Sequence, residues 1–317
     1  MIVEVRLQGK KKKYYLAYSF RIGKNVKKAR RYLGVDLSKE QLVLLRKRAE
    51  VLIKEQVESY KKLSDPLQHE LSEKELNFLK SLEPKGLLDV AHLSENQWQR
   101  FTELFTFNTN AIEGSEINEK EVKEILEENK WPKNVKKEDI SETYGVAEAI
   151  TYIRETKESF SLELIKKLHK VVFKNSKSFA GSFRTVEVVI KNRFGVVVHR
   201  GAPANKILPL LRELISWYDM HKRKYHPMLL AAVIHNQFEN IHPFQDGNGR
   251  VGRLLLNYIL LKHGLPPVNI GLNNRSEYYK SLQAYQNEGE IRPTLDLILK
   301  EYQILKKELG AYKKKKM

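Results

Sequence analysis

The chain has 317 residues, no cysteine, and 57 Lys+Arg against 39 Asp+Glu, a formal charge of +18. The lack of cysteine excludes disulfides and thiolate chemistry and fits a reducing compartment. No apolar run approaches the roughly 18 residues of a membrane span, and MIVEVRLQGKKKK places its charge after its apolar run, the reverse of a secretory signal. A cytoplasmic protein with no membrane partner is therefore expected. The charge admits nucleic acid or polyphosphate partners. Without zinc-finger spacing or an RRM-like aromatic motif, nucleic acid ranks behind.

Residues 2–33 alternate in short runs, IVEVRL, YYLAYSF and KNVKKARRYL, punctuated by Gly9, Gly23 and Gly34; they predict a small antiparallel sheet. Ser38 and Gln41 make a capping box that opens a helix to about Leu63, with Leu42, Leu45, Ala49, Leu52 and Ile53 on its apolar face. SDPLQ at Ser64–Gln68 breaks it. Ser72 with Glu75 caps a short helix that EPKG, Glu83–Gly86, ends. Ser94 with Gln97 opens a helix to Glu113 that sets Trp98, Phe101, Phe105 and Ile112 on one side, and Gly114 stops it. Asn118 with Glu121 opens the next. Further helices are expected at about 138–156 and 161–174. A hairpin over 186–199 turns at KNRFG, and helices follow at about 205–222, 227–239, 250–263, 274–288 and 293–308. The fold class is mainly α with one inserted hairpin and a small sheet in front. Its parts are a β-rich segment 1–37, a helical region 38–93, a helical domain 94–310 and a basic tail 311–317.

Between two apolar helices stands HPFQDGNGRVGR, His242–Arg253. Two glycines around Asn248 let backbone N–H groups converge, and the following helix adds its own unpaired N–H groups and positive dipole end. That is an anion site. Arg250 and Arg253 sit one turn apart near the helix start, where cations oppose the dipole by roughly 0.3–1 kcal/mol each, a placement that makes sense with a polyphosphate in the gap. Asp246 precedes the nest, where Mg²⁺ could bridge carboxylate and phosphate. His242 is a proton acceptor near neutral pH. Phe244 is expected to turn inward, and Pro243 to bias His242 toward an extended backbone. P-loop and kinase signatures are absent.

HPFQDGNGRVGR resembles the whole active-site motif of the Fic family, H-x-F-x-D/E-G-N-G-R-x-x-R, at every fixed position. The resemblance extends over about Ala111 to Pro293 and includes AGSFR (Ala180–Arg184) and NRSEYYKSLQAYQNEGEIRP. It implies a Fic-type helical bundle with a β-hairpin flap, within the domain 94–310, that transfers AMP from ATP to a side-chain hydroxyl of another protein or of itself. By the same resemblance His242 is the general base and Asp246 holds Mg²⁺ (or Mn²⁺). Gly247, Asn248 and Gly249 form the phosphate cradle, and Arg250 and Arg253 steady the β- and γ-phosphates. Tyr278, Tyr279 and Asn287 lie near the adenine, and the hairpin holds the target by strand addition.

Thr109-x-x-x-Glu113-Gly114 resembles the family's inhibitory motif, [S/T]-x-x-x-E-[G/N], here on the helix at about 94–114. Glu113 sits at the negative end of that helix, which calls for a cationic partner. The resemblance makes that partner Arg253, in the place of the γ-phosphate, and gives the same glutamate a second role in removing AMP. The alternatives are a Fic enzyme using UMP, phosphocholine or phosphate, and a basic DNA-binding or toxin–antitoxin module. A homodimer is left open.

Overall fold

The computed structural model describes residues 1–22, 25–64, 66–67, 73, 93–191, 195 and 197–315. The short helix expected after Ser72, its EPKG stop and most of the KNRFG turn lie outside the described residues. The chain divides into two compact units, Met1–Asp65 and Pro66–Met317.

In the first unit, β1 (Ile2–Gln8), β2 (Lys11–Ile22) and β3 (Asn25–Val35) form an antiparallel meander in that order. One face is closed by α1 (Lys39–Ser64), whose Ala49, Ile53 and Val57 pack on Leu16 and Ala29. The expected capping box is present: the Gln41 N–H donates to Ser38 Oγ at 3.2 Å and the Ser38 N–H to Gln41 Oε1 at 3.1 Å. Leu52, expected on the apolar face, is exposed instead. It lies 100° around the helix from Ile53, and Val57 continues the buried stripe.

The second unit is a helical bundle. Its N-terminal half holds α2 (Glu95–Ile112), α3 (Glu119–Glu128), α4 (Lys137–Glu155) and α5 (Leu162–Phe173). Both expected capping boxes, Ser94 with Gln97 and Asn118 with Glu121, are formed. The hairpin is shorter than expected, β4 (Val189–Lys191) with β5 (Val197–Arg200), Ile190 opposite His199. Then come α6 (Ile207–His221), α7 (Pro227–Ile241), α8 (Asn248–Lys262), α9 (Arg275–Glu288) and α10 (Arg292–Lys315). The expected basic tail continues α10 as far as Lys315, and 316–317 lie outside the described residues. Among the described residues no helix is long and apolar enough to cross a membrane.

The core is α7 against α8. Both are buried nearly all round, residues 228–238 and 250–260 without a break, although each carries several polar side chains that the site uses. The helices α2, α4 and α5 pack on α8, while α6, α9 and α10 pack on α7. The twelve-residue motif links these two innermost helices, so its loop rests on the best-packed part of the molecule.

One close approach sets the spacing of α4 and α5. A Cβ at Gly145 would stand 2.3 Å from the Val172 carbonyl oxygen, so only glycine allows the two backbones to meet. Gly145→Ala should cost about 1–3 kcal/mol through overpacking. That corresponds to a Tm lowered by about 2–12 °C. Scanning calorimetry would read it, and an unchanged Tm would mean the helices do not touch there.

Candidate active site

The loop is built by stopping α7 sharply. His242 caps it with φ 53°, ψ 63°, in the left-handed region, while its N–H still donates to Phe238 O at 2.9 Å. The extended backbone expected before Pro243 is therefore not adopted, and such strain costs of order 1–3 kcal/mol. Buried Arg184 holds it. Its Nε donates to His242 O (2.7 Å), Nη1 to Val186 O (2.7 Å) and Nη2 to Ala202 O (2.6 Å), and its backbone N–H to Pro243 O (3.0 Å). Arg184 thus ties the hairpin's two flanks to the turn.

Past the turn the loop is pinned from inside. Phe244 is buried, as expected, and stacks on His169 with centroids 3.9 Å apart. His169 Nδ1 accepts from the Gly181 N–H (2.8 Å), which leaves Nε2–H to donate to Asp246 O (3.1 Å). Asn248 spends its side chain on Phe244, accepting its N–H at 2.8 Å and donating to its carbonyl at 2.9 Å. What Asn248 can offer a phosphate is its backbone. Gly247 has φ +79° with the Phe173 ring where a Cβ would be. The first helical bond of α8 runs from the Val251 N–H to Gly247 O (3.1 Å). The N–H groups of Asn248, Gly249 and Arg250 therefore point out of the helix start without intrahelical partners.

The two arginines of the motif part company. Arg250 is buried against Glu142 of α4, ion-paired to it, with its guanidinium 4.5 Å from the Phe173 ring. Lys177 lies 3.8 Å from Glu142 Oε1 and 3.0 Å from Asp246 Oδ2, which links that pair to the loop. Burial pushes the Asp246 carboxyl up, but the Lys177 hydrogen bond and the Arg250 charge hold it below the usual value.

Arg253 goes the other way. It donates Nε to Thr109 Oγ1 (2.7 Å), Nη2 to Thr109 O (3.0 Å) and Glu113 Oε1 (2.7 Å), and Nη1 to the Tyr278 hydroxyl (3.2 Å). Four of its five N–H donors are thus engaged. Burial works against this charge, and Tyr278 and Glu113 outweigh it, so the guanidinium holds its proton more tightly than usual. Glu113 caps α2, and Gly114 follows at φ 98°. A Cβ at Gly249 would lie 2.2 Å from Glu113 Oε1, so the carboxylate rests on the first turn of α8.

Above these groups opens a cavity of about 480 Å³, lined by His242, Gly249, Glu113, Tyr278 and Tyr279 together with residues no motif had marked. The latter include His199, Asn236, Glu239, Gln283 and Gln286. Asn287 is exposed and is not among the lining residues; Gln286, 100° away on α9, takes that side. Burial, then the neighbouring His199, lower the His242 pKa to about 4, so the ring is neutral at pH 7. Burial raises Glu239 to about 8, opposed by Arg253 and reinforced by Glu113, so its carboxyl keeps a proton at neutral pH. Glu239 Oε1 is buried with no hydrogen bond. Among the described residues no three His, Cys, Asp or Glu side chains cluster as a metal cage. Asp246 is the one motif carboxylate beside the helix start. Its half-exposed oxygens suit a hard cation shared with phosphate, since Mg²⁺ binds through one or two carboxylates plus phosphate oxygens.

The helical bundle thus joins a strained histidine cap, a helix start with open N–H groups suited to an anion and a cavity in one site. Residues 159–260 match the model of the Fic/DOC family, so this stretch of the chain is a Fic domain. The chain is similar to protein adenylyltransferase fic-1 of Caenorhabditis elegans, 29% identical over 218 residues, 66% of this chain and 42% of that protein. It is likewise similar to protein adenylyltransferase Fic of Nematostella vectensis, 30% identical over 199 residues, 61% of this chain and 45% of the relative. The chain thus spans less than half the length of these curated relatives. Of solved structures, C. elegans Fic-1 superposes with a TM-score of 0.63 at 24% identity, over 89% of this chain and 80% of that one.

Burial also makes stability pH-dependent. Desolvation holds His169 and His235, both wholly buried, at about 4, whereas an unfolded histidine titrates near 6.5. Below pH 6.5 the unfolded chain takes up protons that the folded one refuses, so their contribution is full above 6.5 and lost as pH falls toward 4. Each should cost up to about 1.4 kcal/mol per pH unit in that window. His235→Gln should flatten the decline by one group's share. Denaturant unfolding from pH 7 to 4.5 measures it, and identical slopes in the two proteins would exclude this burial.

Proposed function

We propose that this chain is a protein adenylyltransferase that moves AMP from ATP to a Ser, Thr or Tyr hydroxyl of a protein, itself included, under a brake supplied by Glu113. The observation that carries the reading is one cavity lined by a neutral histidine, the open end of a helix and a glutamate paired to a buried arginine.

In this reading the triphosphate lies on the Asn248–Arg250 N–H groups. The base sits toward Tyr278, Tyr279 and Gln286, and Ile190 of the hairpin edge guides the target strand. Asp246 would hold Mg²⁺ or Mn²⁺, which supplies neutralising charge at the phosphates. His242 accepts the hydroxyl proton as that oxygen bonds to the α-phosphorus. The bond from the α-phosphorus to the bridging oxygen breaks, and pyrophosphate leaves with the electron pair. A pKa of about 4 makes His242 a weak base on its own, but adjacent phosphate charge raises a histidine pKa and improves the match. Charge neutralisation and positioning do the remainder, as phosphoryl transfer requires.

The brake follows from donor counting. With Thr109, Glu113 and Tyr278 engaged, Arg253 has one N–H left for a γ-phosphate, and the Glu113 carboxylate repels that phosphate. Removing AMP would use Glu113 as the base for a water.

Wild type, Glu113→Gly and His242→Ala should be incubated with α-³²P-labelled ATP, Mg²⁺ and a cell extract. Glu113→Gly is expected to label protein about 10- to 100-fold more than wild type, the equivalent of one charge-assisted hydrogen bond. His242→Ala should not label. Equal label in all three would overturn the reading; label only from UTP or a phosphocholine donor would replace AMP by that group.

A further inference from the structure

The chain's positive charge is concentrated in one element. Residues 1–35 hold eleven Lys or Arg and a single acid, Glu4, a net +10 within the total of +18. Strand register sorts them by face. Leu16, Ala29, Tyr18 and Phe20 turn toward α1. Arg6 and Lys13 stand opposite each other on the other face, with Arg21, Lys28 and Arg30 along the same side of β2 and β3. Glu4 is on this face too, and it is taken by Lys28 and, at 2.8 Å, Arg30. No other acid in residues 1–35 could neutralise the remainder.

Amid those charges lie two aromatic rings. Tyr15 and Tyr32 are register partners across β2 and β3, with centroids 5.3 Å apart. Arg6 sits 5.5 Å from the Tyr15 ring. Tyr32 is 52% exposed, and Ile2 and Val26 on the same face are more so. A face that needed only to repel neighbours or stay soluble has no use for exposed rings in a cationic field.

We propose that the open face of the β1–β2–β3 sheet binds single-stranded nucleic acid, with unpaired bases stacked on Tyr15 and Tyr32 and phosphates on the surrounding arginines and lysines. A single strand offers both things this face can bind, base faces for the rings and phosphates for the cations. A duplex hides its base faces inside the stack and would leave the tyrosines idle. An acidic protein or an anionic membrane would use the charge without needing paired rings. The proposal stands apart from the transferase reading, since it rests on none of the same residues.

Fluorescence anisotropy of the full chain tests it with labelled oligothymidylate, oligouridylate and a duplex of equal length. Polyglutamate and phosphatidylserine vesicles serve as competitors. Both single strands should bind more tightly than the duplex, and the thymidylate-to-uridylate ratio tells DNA from RNA as the preferred source. With three to five phosphates engaged, log K should fall against log salt with a slope of about −2 to −3.5. Tyr32→Ala should weaken single-strand binding about 5- to 150-fold, the loss of one stacked base, with duplex affinity unchanged. Tyr32→Phe, which keeps the ring, should retain it. The proposal is overturned if the duplex binds as tightly as the strands, if polyglutamate or vesicles compete equally well, or if Tyr32→Ala binds like wild type.

Discussion

A permanently charged guanidinium buried in the bundle is the constraint on which the site depends. Arg253 is 1% exposed, and a cation that far from water is tolerated only when its donors are met. Thr109, Glu113 and Tyr278 meet them, from α2 and α9, segments 144 and 25 residues distant along the chain. The pair also resolves a local problem, since Glu113 ends a helix whose dipole disfavours a carboxylate there. Glu113 gives the buried guanidinium an anion from within the chain. Under the brake proposed above, exchanging Glu113 for a phosphate would trade one anion for another rather than expose a bare buried charge, so the blocked arrangement would be cheap to hold and cheap to leave, as a switch requires.

Rigidity at the loop arises differently. The Asn248 amide, the Arg184 guanidinium and the His169 ring are all consumed by loop backbone at Phe244, His242, Pro243 and Asp246. None of the three side chains is left over for chemistry. Their effect is to hold N–H groups and the His242 ring in one geometry before any ligand arrives, which is where catalytic advantage of the electrostatic kind comes from. The positive φ of His242 is strain sustained by those bonds.

Local signals were legible in the sequence, and long-range ones were not. The capping boxes at Ser38, Ser94 and Asn118 lie within three residues of their partners, and each forms as expected. The motif is legible for the same reason, because its geometry is set by neighbours in sequence. Glu142, Glu239 and Gln286 came from scattered helices and Lys177 from the loop after α5, with no spacing to announce them, although all touch the site. Where two local rules met, the sequence did not say which would prevail. At His242 the bias of a residue before proline yielded to the need to end α7, because Arg184, remote in the chain, could reward the turned carbonyl. Angular placement around a helix failed similarly: Leu52 lies about 140° from the buried Val57, and Asn287 about 100° from Gln286. Arg250 and Arg253 are 60° apart by the same geometry, enough for one to find Glu142 and the other Glu113.

Net charge shows what averaging over a chain conceals. Spread over 317 residues, +18 looks like an ordinary lysine-rich surface. Resolved by element, the motif loop contributes little to it. Arg253 faces Glu113, Arg250 faces Glu142, and Lys177 faces Asp246, so each of these three cations meets a carboxylate at contact distance. Fields from such pairs fade quickly, and salt screens what remains beyond about 10 Å at 0.1 M. The sheet has eleven cations and one acid, so its field does not cancel and reaches outward. The two halves of the charge pattern thus answer to different physics. On the readings proposed above, the cavity would exchange one anion for another at close range, and the sheet would attract an extended polyanion from solution.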